Sequence, residues 1–155
     1  MRKLTSEIIQ FFQKQGFVIV STLDARDRPH SSCKGIVRIN KEGQVDLFDL
    51  YRGRTYANLK RNHNLSITAV DEHGFKGYCL KGEAQIVTGN TVIGEINQAW
   101  EQRIISRIAQ RILRNLHEEK GHLRQAEALL PKPKYLIRLK IEEVVDLTPG
   151  HLKER

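Results

Sequence analysis

Phe48-Asp49-Leu50-Tyr51-Arg52-Gly53-Arg54-Thr55-Tyr56-Ala57-Asn58-Leu59-Lys60-Arg61-Asn62 decides how the rest of this chain is read. It passes from the end of an apolar strand, through a short basic turn with one glycine, into the first turns of a helix. Arg52, Arg54 and Thr55 therefore stand where a helix begins, and backbone N–H groups at that end have no intrahelical partner. The positive end of the helix dipole and two guanidinium groups add to those donors, a combination that suits a phosphate. The same residues also fit an ordinary strand–helix connection with solvated arginines.

Working outward from this stretch, Leu4, Ile8, Ile9, Phe11 and Phe12 recur at helical spacing and predict a helix over 6–15 that ends at Gly16. Residues 17–23 form a β-branched, strand-like run, and 24–29 a turn closed by Pro29. Residues 30–39 read as a second strand, 45–50 as a third, and 56–62 as a short helix. On the far side, 65–70 alternates apolar and small polar residues as a half-buried strand should. Another strand covers 76–87 and contains Gly77 and Gly82; glycines inside a strand mark a bulge, a corner or close approach by a ligand.

From 92 to 130 the pattern turns helical, with a break at Gly121. Trp100, Ile104, Ile105, Ile108, Ile112 and Leu116 form an apolar stripe. Pro131 and Pro133 close this insert, and 135–141 alternates back into the sheet, extended by 142–147. Six or so short strands with tight turns predict a mainly β (α+β) fold. The expected architecture is one domain over 1–155: a six-stranded antiparallel split β-barrel with peripheral helices and a long helical insert before the last strand.

A chain of 155 residues can bury a core without staples. With 39% hydrophobic and 28% charged residues it has ordinary globular composition, which excludes disordered and collagen-like classes. Two cysteines, Cys33 and Cys79, are too few for a secreted disulfide framework. No opening segment reads as a signal peptide, and no run nears the roughly 18 apolar residues of a membrane span. A soluble, cytoplasmic protein is expected. The net charge of +8 calls for anionic partners, and nucleic acid, phosphorylated cofactors and acidic substrates all qualify.

Three separated stretches carry a resemblance. Arg28-Pro29-His30-Ser31-Ser32-Cys33-Lys34 is similar to an "RPH-x-S" strand start. The segment from Leu50 through Asn62 to Ile67 resembles a strand, basic turn and "NL-x-x-N-P-x-V" helix. Gly77-Tyr78-Cys79-Leu80-Lys81-Gly82-Glu83-Ala84 is similar to a "G-x-x-V-x-G-x-A" strand. Together they resemble the pyridoxamine 5′-phosphate oxidase-like proteins, whose fold is an FMN-binding split β-barrel.

The resemblance implies a homodimer with FMN at the subunit interface, acting in two-electron oxidoreduction on a small-molecule substrate or redox partner. It places Ser31, Ser32, Cys33 and Lys34 along the isoalloxazine ring, and Leu50, Tyr51, Arg54, Thr55 and Asn58 around the ribityl phosphate. A phosphomonoester carries about −1.5 to −2 charges at neutral pH, so a further cation, Lys76 or Lys81, fits the same role. Lys34 at the N1/O2 edge of a flavin would stabilise the anionic reduced form; the alternative is a surface lysine on an edge strand. Cys33 beside Lys34 reads either as a reactive thiol or as a small packing residue.

Two positions depart from the family pattern: Thr55 stands where Lys or Arg is frequent, and His63 where proline is. Nothing matches the pyridoxal-phosphate residues of the true oxidase. The alternatives are an FMN carrier or electron-transfer protein without turnover, a basic nucleic-acid module, or a barrel that takes haem or a deazaflavin. Arg103, Arg107, Arg111 and Arg114 share one helix face, which reads more readily as a solvated face than as a nucleic-acid or acidic-substrate patch. Scattered histidines, without any Cys-x-x-Cys, give no metal site. Hydrolase and triphosphatase signatures are missing too.

Overall fold

Consecutive strands are joined by tight turns, and the resulting antiparallel sheet curls. The computed structural model describes residues 1–117 and 131–153, with backbone alone at 111 and 114–117. The elements are α1 (Ser6–Gln13), β1 (Val18–Leu23), β2 (Pro29–Lys34), β3 (Ile36–Ile39), β4 (Gln44–Asp49), α2 (Arg54–Arg61), β5 (Asn64–Asp71), β6 (Lys76–Val87), α3 (Asn90–His117), β7 (Tyr135–Asp146) and α4 (Gly150–Lys153). The expected helix over 118–130 and its break at Gly121 lie outside the described residues.

All seven strands form one sheet, in the order β2-β1-β5-β6-β7-β4-β3. The strand expected over 30–39 divides at Gly35, which corrects the count from six to seven. Its first half pairs with β1 and its second half with β4. β2 and β3 are thus neighbours in the chain but opposite edges of the sheet. The sheet curls until the edges meet at this corner, where the Phe48 N–H donates to the Gly35 carbonyl at 2.9 Å. Packing is tight here: a Cβ at Gly35 would lie 3.0 Å from the guanidinium carbon of Arg103, which would have to shift. Gly82 plays the part expected of a strand glycine. The β6–β7 register shifts at Lys81/Gly82, and a Cβ at Gly82 would collide with the Lys140 carbonyl.

The concave face holds the main core. Val18, Val20, Leu47, Ile67, Leu80, Ile137, Leu139 and Ile141 are all but fully buried, and Phe12 of α1 and Leu59 of α2 close over them. Each such side chain contributes about 1.5–3 kcal/mol relative to an exposed one. A second, smaller cluster of Phe48, Leu136, Ile96 and Trp100 seats the start of α3 on β4 and β7. Beyond it the isoleucine stripe is only partly used, since Ile105 and Ile112 are exposed. Among the described residues no helix is long and apolar enough to cross a membrane.

Candidate functional site

β4 leaves the sheet at Asp49, and α2 begins after four intervening residues, at Arg54. Gly53 caps it in extended conformation with no side-chain cap, and the space where its Cβ would be is empty. Among the described residues no side chain caps the N–H groups of the first turn, and the exposed Arg52 and Arg54 flank them. Arg52 lies over the Tyr56 ring at 5.5 Å and within 6.0 Å of the Tyr135 ring. That arrangement fixes one guanidinium near the helix start and leaves Arg54 without such a partner.

The buried face of α2 is held to the sheet by polar groups. Thr55 is buried, and its hydroxyl shares a 2.9 Å hydrogen bond with that of Ser32 on β2. Asn58, also buried, donates from Nδ2 to Thr22 Oγ1 at 3.0 Å. Both sites follow from α2's own periodicity, which puts 55, 58 and 59 on one face.

Beside them sits a buried ion pair. Lys34 Nζ donates to Asp49 Oδ1 at 2.6 Å, and the two side chains are 10% and 3% exposed. Tyr135, the register partner of Asp49 on β7, donates its hydroxyl to the other carboxylate oxygen and lies 3.1 Å from the Tyr51 carbonyl. Burial, and then the contact with Asp49, push the Tyr135 hydroxyl far above its ordinary range, so it remains a donor. Lys34 is thus neither free in solvent nor an uncompensated cation.

A cleft of about 290 Å³ opens next to this pair, bordered by Cys33, Lys34, Leu50 and Tyr51. Phe48, Asp49, Trp100, Arg103 and Arg107 complete its walls. The arginines expected on a solvated face fold back instead, at least in part. Arg103 donates to the carbonyls of Ile36 (2.9 Å) and Gly16 and lies 5.8 Å over the Phe48 ring. Arg107 donates to the same Gly16 carbonyl at 2.9 Å. Burial and the charge of Arg107 lower the Arg103 pKa. The side chains of Arg111 and Arg114 lie outside the described residues.

Two remaining candidates stand elsewhere. Ser31 Oγ is 3.2 Å from Ser21 Oγ, and Lys81 is paired with Glu143 at 3.3 Å. They occupy one row across the sheet, Ser31–Ser21–Ser66–Lys81–Glu143. Most of that row borders a second cleft of about 460 Å³. The structure therefore joins Ser32 with Thr55, and Cys33, Lys34, Leu50 and Tyr51 with one another, while Ser31 and Lys81 form a separate row. Asp49, Tyr135 and Trp100 were not singled out as site residues by sequence reasoning, and Arg103 was weighed only as part of a surface patch on the helix. An acid inside the apolar run Leu47-Phe48-Asp49-Leu50 was the available signal for the first. Among the described residues no three His, Cys, Asp or Glu side chains gather as metal ligands would.

A curled antiparallel sheet whose two edges are one chain segment, with a polar helix start at its rim, defines a split-barrel protein. The chain belongs to the pyridoxamine 5′-phosphate oxidase family, whose profile matches residues 4–147. Among solved structures it is similar to HupZ of Group A Streptococcus, with a TM-score of 0.68 and 20% identity over 95% of this chain and 96% of that one. General stress protein 26 of Bacillus anthracis matches with a TM-score of 0.59 and 15% identity, over 93% and 94% of the two chains. HutZ of Vibrio cholerae, described as a heme storage protein, matches with a TM-score of 0.52 and 23% identity over 94% of each chain. At these identities the likeness is one of fold. A search of curated proteins finds no match.

Proposed function

We propose that this chain binds FMN non-covalently, as a homodimer, and serves two-electron oxidoreduction of a small molecule. The observation that carries the reading is the start of α2: uncapped N–H groups, an open Gly53 and the exposed Arg54 lie on one short turn. The donor set fits a phosphomonoester, which asks for charge and several N–H or O–H donors at once. Arg54 would supply the charge, the first turn of α2 its backbone donors, and Thr55 with Ser32 a pair of hydroxyls already oriented toward each other. Leu50 and Tyr51 would lead from the phosphate to the cleft, where Cys33 and Lys34 meet the ring; Ser31 and Lys81 are the least supported members of the set.

Bound flavin would supply hydride chemistry; the protein's part is placement, exclusion of water and electrostatic tuning. Lys34 carries the tuning. Its charge is held in place by Asp49, so a ligand atom at the cleft wall meets an oriented donor whose net field is small. This favours modest stabilisation of a reduced, anionic ring.

One observation favours a second reading, a haem-binding protein without turnover: the fold is shared with HutZ, described as a heme storage protein. Cys33 and Tyr51 line the cleft and would be the residues to hold a haem iron there; no histidine lines it. Titration of the purified chain with FMN and, separately, with hemin decides between them. Saturable quenching of FMN fluorescence, abolished in Arg54→Glu, supports the first reading; a Soret shift with hemin and no FMN quenching replaces it with the second.

A further inference from the structure

We infer that the cleft between α3 and the Gly35 corner is an anion site, built for a small carboxylate on a planar, apolar body, with Arg103 and Arg107 as its cations. Two guanidinium groups converge there on a single acceptor, the Gly16 carbonyl. Among the described residues neither has a carboxylate within ion-pair distance. The one acid on the cleft wall, Asp49, is already engaged by Lys34 and Tyr135.

A latch that merely fastens α3 to the sheet needs only one of the two guanidinium groups. Here Arg103 alone reaches both the Gly16 and the Ile36 carbonyls. Arg107 adds a second positive charge beside a half-buried first one and lowers its neighbour's pKa. Like charges brought together out of water cost stability unless an anion joins them. The absence of a side chain at Gly35 lets Arg103's guanidinium rest directly on the backbone there.

The other walls select what the anion is attached to. Trp100 and Phe48 form an edge-to-face pair in the cleft, and the exposed rings of Phe17 and Tyr51 stand at its border. A planar body against these aromatic side chains, with its carboxylate on the arginine fork, satisfies the Trp100–Arg103 end of the cleft and leaves the Cys33–Lys34 end to the flavin ring. That this carboxylate is the substrate rests on the FMN reading above; the anion site itself does not.

Trp100 is the single tryptophan of the chain, so its emission reports the cleft directly. Benzoate, acetate and inorganic phosphate are titrated into the full chain with and without FMN. Benzoate is expected to change Trp100 emission saturably, more tightly than acetate or phosphate. Arg107→Ala should weaken it by about tenfold or more, as loss of a charge-assisted pair implies. Arg107→Lys, which keeps the charge but not the fork, should fall between, and Glu101→Gln on the same helix should match wild type. No saturable response to benzoate, equal affinity in Arg107→Ala and Arg107→Lys as in wild type, or preference for phosphate would each overturn the assignment. Benzoate binding that persists in a chain unable to bind FMN would sink the cofactor reading and leave the anion site standing.

Discussion

The start of α2 follows Asp49 of the Lys34–Asp49 pair by a few residues, yet the two regions handle charge in opposite ways. At the first, Arg54 is exposed and the N–H groups carry no side-chain cap. At the second, cation and carboxylate are both nearly buried and already paired, with Tyr135 closing the set. Exposed charge costs the fold little and is available to a ligand. Buried charge is tied into the fold, where removing one member strands the other. Binding and stability should therefore separate cleanly between the two regions.

The largest effect is expected from Asp49→Ala, which leaves Lys34 buried without its counter-charge and Tyr135 without its acceptor. A loss of about 3–5 kcal/mol in chemical denaturation is the expected outcome; a loss no greater than that of a surface pair would break the comparison. Tyr135→Phe should cost about 1–3 kcal/mol by leaving a carboxylate oxygen unsatisfied. It also carries a pH signature. The folded-state pKa of Tyr135 is raised, so its stabilising contribution is full below about pH 10, the unfolded value, and is lost as pH rises beyond it. Wild-type stability should fall through the alkaline range, and Tyr135→Phe should make that fall shallower.

On the exposed side, Arg54→Glu should weaken FMN by well over tenfold, roughly 1.4 kcal/mol or more, because it replaces attraction with repulsion. The same variant should unfold within about 0.5 kcal/mol of wild type, as surface changes do. Loss of FMN affinity together with a large loss of stability would show that the two regions are not independent. Thr55→Ala should cost about 1 kcal/mol, since it leaves Ser32 without its hydroxyl partner, and should weaken FMN by less than Arg54→Glu does. The smallest effect is expected from Lys81→Ala: its partner Glu143 is exposed, and such pairs contribute about 0–1 kcal/mol. Unchanged FMN affinity there, measured by the same titration, would remove Lys81 from the phosphate set.

Strand positions from β4 to β6 and the start of α2 were legible because alternation, turn residues and helix-start chemistry are local signals. Gly35 was not. In the sequence it is one small residue within a continuous strand pattern, and its meaning comes from Arg103, which arrives 68 positions later to lie against it. Arg103 and Arg107 were equally opaque. Their spacing is that of any amphipathic helix, and only the packing of α3 on β4 turns that face inward.

What the residues alone determined is the alternation that makes a curled sheet and the basic turn that starts α2, both set by contacts a few positions apart. What tertiary structure decided is which charges are spent and which are open. Asp49 meets Tyr135 across 86 positions through the β4–β7 register, and Lys34 across 15 positions because the two edges of the sheet come together. An ion pair of that range has no period for a sequence to display, because its partners are chosen by strand register and by where the corner falls.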